Sequence, residues 1–319
     1  MAGCRCKICK KNEAILKLES YRLNLCPDCF DDFVLRRTKK GIHDFKMFGP
    51  DERILVAVSG GKDSLGLWDV LVRLGYRADG FYIDLGIKDY SAESKRLARA
   101  YAEANGLTLH VRSVPDDFGG LGIRDIAWKT RRKPCSVCGT LKRHLMNRLA
   151  LDEKYDVLAT GHNLDDEVTT LFGNTLHWQT EYMGRQYPVL PAVDEGLQRK
   201  VKPLIYLGEK EMAAYVTLRG IPYIYDECPM AEGASSLFYK DLLNQLELHS
   251  PGSKLAFLKG FFDQRERFRT ELERPALAAC TRCGTLTTAE VCAACRLKER
   301  LAPAAPGEPD DGADDQANP

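Results

Sequence analysis

Residues 54–64, ILVAVSGGKDS, constrain this chain more than any other stretch. Five apolar residues rich in Val and Ile run into a glycine pair flanked by hydroxyls, a lysine and an aspartate, and an apolar periodic stretch follows over 65–74. That order predicts a buried strand, a tight loop and a helix. Such a loop aims backbone N–H groups at one spot, at the positive end of a helix dipole, and so makes an anion site. Gly60 and Gly61 let the backbone approach the anion with no Cβ in the way. Ser59 and Ser64 supply hydroxyl donors and Lys62 a positive charge. The ordinary P-loop needs Gly, four residues, then Gly-Lys-Ser/Thr. Here Asp63 follows Lys62 and Val56 stands where the first glycine belongs, so this loop is of another kind.

With 319 residues, 44 % of them hydrophobic, the chain can build one large core or two to three smaller ones. No apolar run approaches the ~20 residues a bilayer span needs, and the first residues lack the apolar centre of a signal peptide. A cytoplasmic protein with no membrane association is expected. The net charge of +1 hides an asymmetry: Glu308, Asp310, Asp311, Asp314 and Asp315 share a tail without a base. The rest is more basic, with clusters at 36–40, at 129–133 and at Arg265, Arg267 and Arg269. One cluster alone is an ordinary solvated face. Three of them beside metal-binding patterns point to a polyanionic partner.

Twelve cysteines are many for a compartment where disulfides do not persist, so they must be metal ligands, redox groups or buried thiols. Their spacing sorts them into three groups. Cys6 and Cys9 with Cys26 and Cys29 form two C-x2-C knuckles sixteen residues apart, and Cys280 and Cys283 with Cys292 and Cys295 form two more with an eight-residue spacer. Both patterns predict a tetrahedral Zn²⁺ that folds a segment too short for its own core. Cys4 is a spare that could substitute in the first site. Cys135 and Cys138 have no second knuckle, and the only cysteine left is Cys228. Three thiols leave one coordination position open, which suits a reactive site better than a structural one. Three buried thiols, or a zinc site closed by a histidine, are the plainer alternatives. Lys142 lies four residues past Cys138 and seven past Cys135, so a helix would place all three on one face.

Strand and helix patterns alternate from residue 54: strands over 77–83, 107–111 and 155–160, a helix over 93–105, a short strand at 202–204 and a helix over 209–218. The alternation predicts a doubly wound parallel sheet, with ligands beyond the carboxyl ends of its strands. Residues 114–134 show no clear periodicity and read as a loop insertion. The strand at 155–160 empties into Gly161 and the acidic run Asp165, Asp166 and Glu167. Acids at a helix start are accounted for by capping alone. A triphosphate also needs Mg²⁺, which favours carboxylates beside phosphates, and Asp63 and Asp166 are the candidates. His162 reads as a packed loop histidine. Residues 238–274 read as helical. The expected organisation is a zinc finger over 1–34, a linker helix over 35–53, a catalytic domain over 54–274, a zinc ribbon over 275–302 and a disordered acidic tail over 303–319.

The string Ser59-Gly-Gly-Lys-Asp-Ser64 resembles the pyrophosphate loop (PP-loop) of ATP pyrophosphatases. Together with the N-terminal knuckle pair, Cys135-x-x-Cys138, Gly161-His-Asn-Leu-Asp-Asp-Glu167, Cys228 and the C-terminal ribbon, in that order, the chain resembles the tRNA thiolation enzymes of the TtuA type, grouped with the eukaryotic wobble-uridine thiolase. The match spans about residues 4–300. The resemblance implies a Rossmann-like ATP pyrophosphatase fold and a transferase that adenylates uracil O2 of the T-loop 5-methyluridine and replaces it with sulfur. It implies ATP held at Ala57, Ile83 and Ser59 to Ser64, near Gly161, with functional roles at Lys142 and Asp166. It further implies a [4Fe-4S] cluster on Cys135, Cys138 and Cys228, a thiocarboxylated ubiquitin-like protein as sulfur donor, and a homodimer. Thiolation of the wobble uridine or an anticodon-loop cytidine, and a persulfide relay through Cys135 or Cys228 without a cluster, are the alternatives within the group. An amide-forming PP-loop ligase would have no use for three unassigned cysteines, and a zinc-finger RNA-binding protein would have no use for Lys62 and Asp63.

Overall fold

The computed structural model describes residues 4–193, 196–230, 235–268 and 277–301. The acidic tail expected over 303–319 lies outside them. The chain begins with a two-stranded antiparallel hairpin, β1 (Leu16–Leu18) and β2 (Leu23–Leu25), and a long helix, α1 (Pro27–Asp44), that starts on the knuckle at Cys26 and runs across residue 34. Pro27 sits at the first helical position, where its missing N–H costs nothing.

Next come β3 (Ile54–Val58), α2 (Lys62–Arg73), β4 (Ala78–Asp84), α3 (Lys88–Asn105), β5 (Leu109–Ser113), the short α4 (Val114–Asp117) and α5 (Ile123–Lys129), α6 (Pro134–Asp152), β6 (Val157–Thr160) and α7 (Leu164–Leu176). The remainder comprises α8 (Thr180–Arg185), β7 (Val189–Leu190), β8 (Arg199–Val201), α9 (Glu209–Leu218), α10 (Ser235–His249), α11 (Ser253–Gln264), the small hairpin of β9 (Ala278–Ala279) and β10 (Leu286–Thr287), and α12 (Ala293–Leu301). The central sheet has the order β5-β4-β3-β6-β8-β7, parallel except for β7 at its edge.

Strand β3 is buried on both faces, and its alternation divides the core. Ile54, Val56 and Val58 join a cluster with Trp68, Leu71, Met212 and Tyr215, while Leu55 joins a second cluster with Phe81, Ile126, Val137 and Leu141. Trp68 fixes the distance between α2 and the sheet. Its ring lies against Gly80, where a Cβ would come within 2.5 Å of it, and its indole N–H donates to Ala78 O at 2.8 Å. Truncating a side chain so buried costs about 3–5 kcal/mol. The metal-binding ends pack on this core: Cys6, Cys26 and Phe30 belong to the first cluster, and Cys280, Cys292 and Leu297 to the second.

Three sequence expectations need correction. Residues 114–134 are not a featureless loop: they hold α4 and α5, and Ile123, Ile126 and Ala127 are buried against α6. A helix of seven residues shows too few turns for its period to stand out in the sequence. The strand expected at 202–204 lies at Arg199–Val201, because Pro203 has no N–H to give a ladder. The helix expected over 93–105 begins at Lys88, where the Ser91 hydroxyl accepts the N–H of Ile87 at 3.0 Å and satisfies one of the first-turn donors.

Candidate active site

The sheet order places the site. The chain leaves β3 toward β4 on one side and returns to β6 on the other, so a crevice opens between the carboxyl ends of β3 and β6. The loop of Ser59, Gly60 and Gly61 enters it from one strand and the loop of Gly161, His162 and Asn163 from the other. Gly60 has φ +79°, and a Cβ there would lie 2.6 Å from Ser94 O. No side chain fits, and this close approach keeps the loop against α3. At Gly161 a Cβ would meet the backbone of Asp63 at 3.0 Å, so the two loops touch backbone to backbone. The first loop is laced by its own hydroxyls: Ser64 Oγ accepts the N–H of Ser59 at 3.0 Å and donates to Gly61 O at 3.0 Å. The N-terminus of α2 therefore points into the crevice on a rigid support.

Charged side chains form one network around that terminus. Lys62 Nζ lies 3.0 Å from Asp63 Oδ2 and 2.6 Å from Glu209 Oε1. Lys240 Nζ lies 3.0 Å from Glu209 Oε2 and 3.3 Å from Asp166 Oδ1. Asn163 Nδ2 donates to Asp63 Oδ1 at 3.1 Å. Burial raises the Asp63 carboxyl, and Asp166 and Glu209 add to that rise against the opposing charge of Lys62. Burial works the same way on Glu209, but there the Lys62 and Lys240 ammonium groups win and hold it below the ordinary range. Three carboxylates facing two ammonium groups leave a spare negative charge, the setting a divalent cation beside phosphates requires. Asp166 also has a local duty. It closes a capping box with Asn163, whose N–H it accepts at 3.1 Å, leaving its second oxygen to the site.

The flanking acids are taken up elsewhere. Asp165 is buried, paired with Lys254, and accepts the N–H of Glu209 at 2.7 Å. It thereby fixes the start of α9 relative to α7. Glu167 is paired with Lys202 at 2.6 Å. His162 is hydrogen-bonded to Thr160 at 2.8 Å but is exposed, so it is not the packed loop histidine expected. Glu209 and Lys240 escaped the sequence reading. Glu209 looks like an ordinary first-turn acid, and Lys240 reaches the site only through tertiary packing of α10.

Beyond the loop lies a recess lined by Ala57, Ser59, Phe81, Ile83, Tyr90, Lys142 and Cys228. Ala57 and Ile83, from adjacent strands, thus share one wall, and Lys142 and Cys228 close the end. Pro134 opens α6, so Cys135 lies in its first turn and Cys138 just past it. Cys135 Sγ donates to Met230 O at 3.2 Å, which ties the helix start to the segment carrying Cys228. Burial pushes the Cys138 thiol up; the ammonium of Lys142 opposes this, and Cys228 and Cys135 add to it. Cys138 thus feels the charge of both other thiols, and of the three Cys228 lines the recess. As a donor set, three soft sulfurs suit an iron–sulfur cluster with one iron left free for another ligand.

Eight of the other nine cysteines are arranged differently. Cys6, Cys9, Cys26 and Cys29 draw their sulfurs within 4.8 Å of one another, and so do Cys280, Cys283, Cys292 and Cys295. Cys9 and Cys26 Sγ are 3.8 Å apart, Cys283 and Cys292 Sγ 3.7 Å. A tetrahedron with Zn–S bonds of ~2.3 Å has edges of about 3.8 Å, so both groups fit a single ion. Within each group the thiols divide: at Cys6 backbone N–H groups outweigh burial and bring the pKa down to about 6, and at Cys280 the N–H of Cys292 leads a similar fall to about 6, while burial pushes Cys29, Cys292 and Cys295 up. Cys4 is exposed and lies outside the first group, bonded to Asn24 at 3.0 Å. Among the described residues, the Cys135, Cys138 and Cys228 set is not drawn together as tightly as these two groups.

Comparison with known proteins agrees with this layout. Residues 34–232 match the PP-loop domain family. The tRNA-5-methyluridine(54) 2-sulfurtransferase of Thermotoga maritima is 42 % identical over 93 % of this chain and 97 % of its own length. The enzyme of the same name from Thermus thermophilus is 46 % identical over 92 % of this chain and 90 % of its own. The U34-tRNA thiolase NcsA of Methanococcus maripaludis, solved with its [4Fe-4S] cluster, superposes with a TM-score of 0.78 over 94 % of this chain and 97 % of its own, at 24 % identity, a likeness of fold. This chain belongs to the PP-loop family and, within it, to the tRNA-5-methyluridine(54) 2-sulfurtransferases.

Proposed function

We propose that this protein replaces O2 of the T-loop 5-methyluridine of tRNA with sulfur at the expense of ATP. The observation that carries the reading is the shared recess: the wall residues Ala57 and Ile83, the PP-loop residue Ser59, Lys142 and Cys228 all face one cavity. Activation and sulfur delivery can then occur on the same base. ATP lies with its adenine along Ala57 and Ile83 and its phosphates on Ser59 to Ser64, where N–H groups and Lys62 meet the charge. Mg²⁺ beside Asp63 and Asp166 would neutralise the departing pyrophosphate. Uracil O2 attacks the α-phosphorus, the bond to the bridging oxygen breaks and pyrophosphate leaves. Lys142 would stabilise the charge that builds on the α-phosphate oxygens. A sulfur nucleophile then adds at C2 and AMP departs with the former O2. A [4Fe-4S] cluster held by Cys135, Cys138 and Cys228 would supply a free iron to bind and present that sulfur.

Zn²⁺ on the two four-cysteine groups would hold the terminal segments in place. A thiocarboxylated ubiquitin-like carrier as donor and a homodimer as the assembly rest on the family resemblance, and tRNA as substrate fits a cytoplasmic enzyme. No helix among the described residues is long and apolar enough to cross a membrane. The test is direct. Purified protein, reconstituted anaerobically and given ATP, Mg²⁺, a sulfide source and unmodified-at-sulfur tRNA, should yield 2-thio-5-methyluridine on nucleoside mass spectrometry. Thiolation confined to an anticodon-loop nucleotide would overturn the site assignment, and thiolation by protein stripped of iron would favour the persulfide relay.

A further inference from the structure

The turn between α5 and α6 carries a feature that neither adenylation nor sulfur delivery uses. Trp128, in the last turn of α5, is 80 % exposed, while the Trp68 ring is wholly buried. A tryptophan left in water on an otherwise well-packed helix is unusual, because its ring is among the largest apolar surfaces a chain can bury. It shares a shallow recess with Lys129, Arg131, Arg132 and Lys133. All four cations are exposed, and none makes an ion pair among the described residues. The turn is nonetheless rigid. Thr130 is buried with its hydroxyl donating to Ile126 O at 2.7 Å, Arg131 takes φ +54° with its N–H on Trp128 O at 3.2 Å, and Arg132 N–H donates to Ala127 O at 3.0 Å. The backbone thus holds an aromatic face among unneutralised cations, and the same strand of chain runs directly into Cys135 at the start of α6.

We propose that this turn is a nucleic-acid contact in which Trp128 stacks on an unpaired base of the tRNA while Arg131, Arg132 and Lys133 meet the flanking phosphates. An aromatic platform beside a cluster of cations is the chemistry of single-stranded or looped RNA recognition. A protein partner recognised by charge alone would gain nothing from the exposed indole ring. The inference rests on the thiolation reading and adds to it the surface that presents the looped RNA to the cysteine site.

The experiment measures tRNA affinity of the full-length, metal-loaded protein over a range of salt concentrations. Trp128→Ala should weaken tRNA binding by about tenfold or more, with the slope of log affinity against log salt unchanged, because stacking releases no counterions. Arg132→Ala should weaken binding and reduce that slope by about one. Trp178→Ala removes another exposed tryptophan, 73 % accessible, outside the basic turn, and should leave affinity unchanged. Unaltered metal content and ATP binding in each variant exclude misfolding. Wild-type affinity in Trp128→Ala overturns the proposal while leaving the thiolation reading intact. Normal tRNA affinity with impaired sulfur transfer from a carrier protein also overturns it, in favour of a protein-docking turn. Failure of the wild-type protein to bind any tRNA overturns both readings.

Discussion

The eight cysteines at the two ends of the chain and the three in its middle use the same ligand atom for different purposes. At the ends, C-x2-C knuckles occur in pairs, their sulfurs gather within 4.8 Å, and the groups are packed into the hydrophobic clusters that flank the sheet. Such a site has no position for a substrate. In the middle, a single knuckle at the start of α6 is joined to the segment of a lone, distant cysteine through Met230, Cys135 is exposed, and Cys228 lines the recess beyond the PP-loop. The contrast teaches that closure, rather than ligand type, separates a structural metal from a reactive one. It also says that disturbing the two kinds of site should fail in different ways.

The largest effect should come from the open set. Cys228→Ser is expected to reduce thiolation to background while ATP binding, read by calorimetry, changes by less than about twofold. Equal loss of both would erase the distinction between cradle and sulfur site. Cys283→Ser should act oppositely: it removes one zinc and with it most of the ~10 kcal/mol that a structural zinc supplies to its module, so the terminal module opens locally. Zinc analysis and hydrogen exchange over residues 277–301 would show this, and an unchanged zinc content would refute the assignment.

Gly60→Ala tests the cradle itself. The positive φ alone costs about 1–3 kcal/mol, and the added methyl must also displace Ser94. ATP affinity should fall at least about tenfold with metal content intact.

The smallest effect concerns the latch on Lys62. Two ammonium groups hold the Glu209 carboxyl below its ordinary range against the pull of burial. Its contribution to stability is therefore present above the unfolded pKa of about 4.3 and is lost as pH falls through the lower folded value. In nucleotide-free protein, Glu209→Gln should flatten the acid limb of the melting curve below about pH 5 and leave the neutral region little changed. An identical acid limb in the variant would show that the latch carries no linkage.

The sequence conveyed what depends on local order. The glycine pair, the paired knuckles and the strand–helix alternation are each written in adjacent residues, and the structure places the Ala57, Ile83, Lys142 and Cys228 candidates around one recess. Glu209 and Lys240 were not legible, because each is an ordinary helix residue until α9 packs beside α2 and α10 beside α7. The seven residues of α5 were hidden for a different reason: their apolar positions are too few to show a period, and only burial against α6 reveals them. Asp165 shows the limit of local reasoning most plainly. Its place at a helix start accounts for an acid there, yet it is buried against Lys254 and fixes the backbone of Glu209.

Metal analysis of anaerobically purified protein bears most directly on the division between closed and open thiol sites. Wild-type protein should carry iron and acid-labile sulfide together with two zinc ions per chain, one for each four-cysteine group. Cys135→Ser should lose the iron and sulfide and keep both zincs. Iron retained in that variant, or zinc lost along with the iron, would contradict the account.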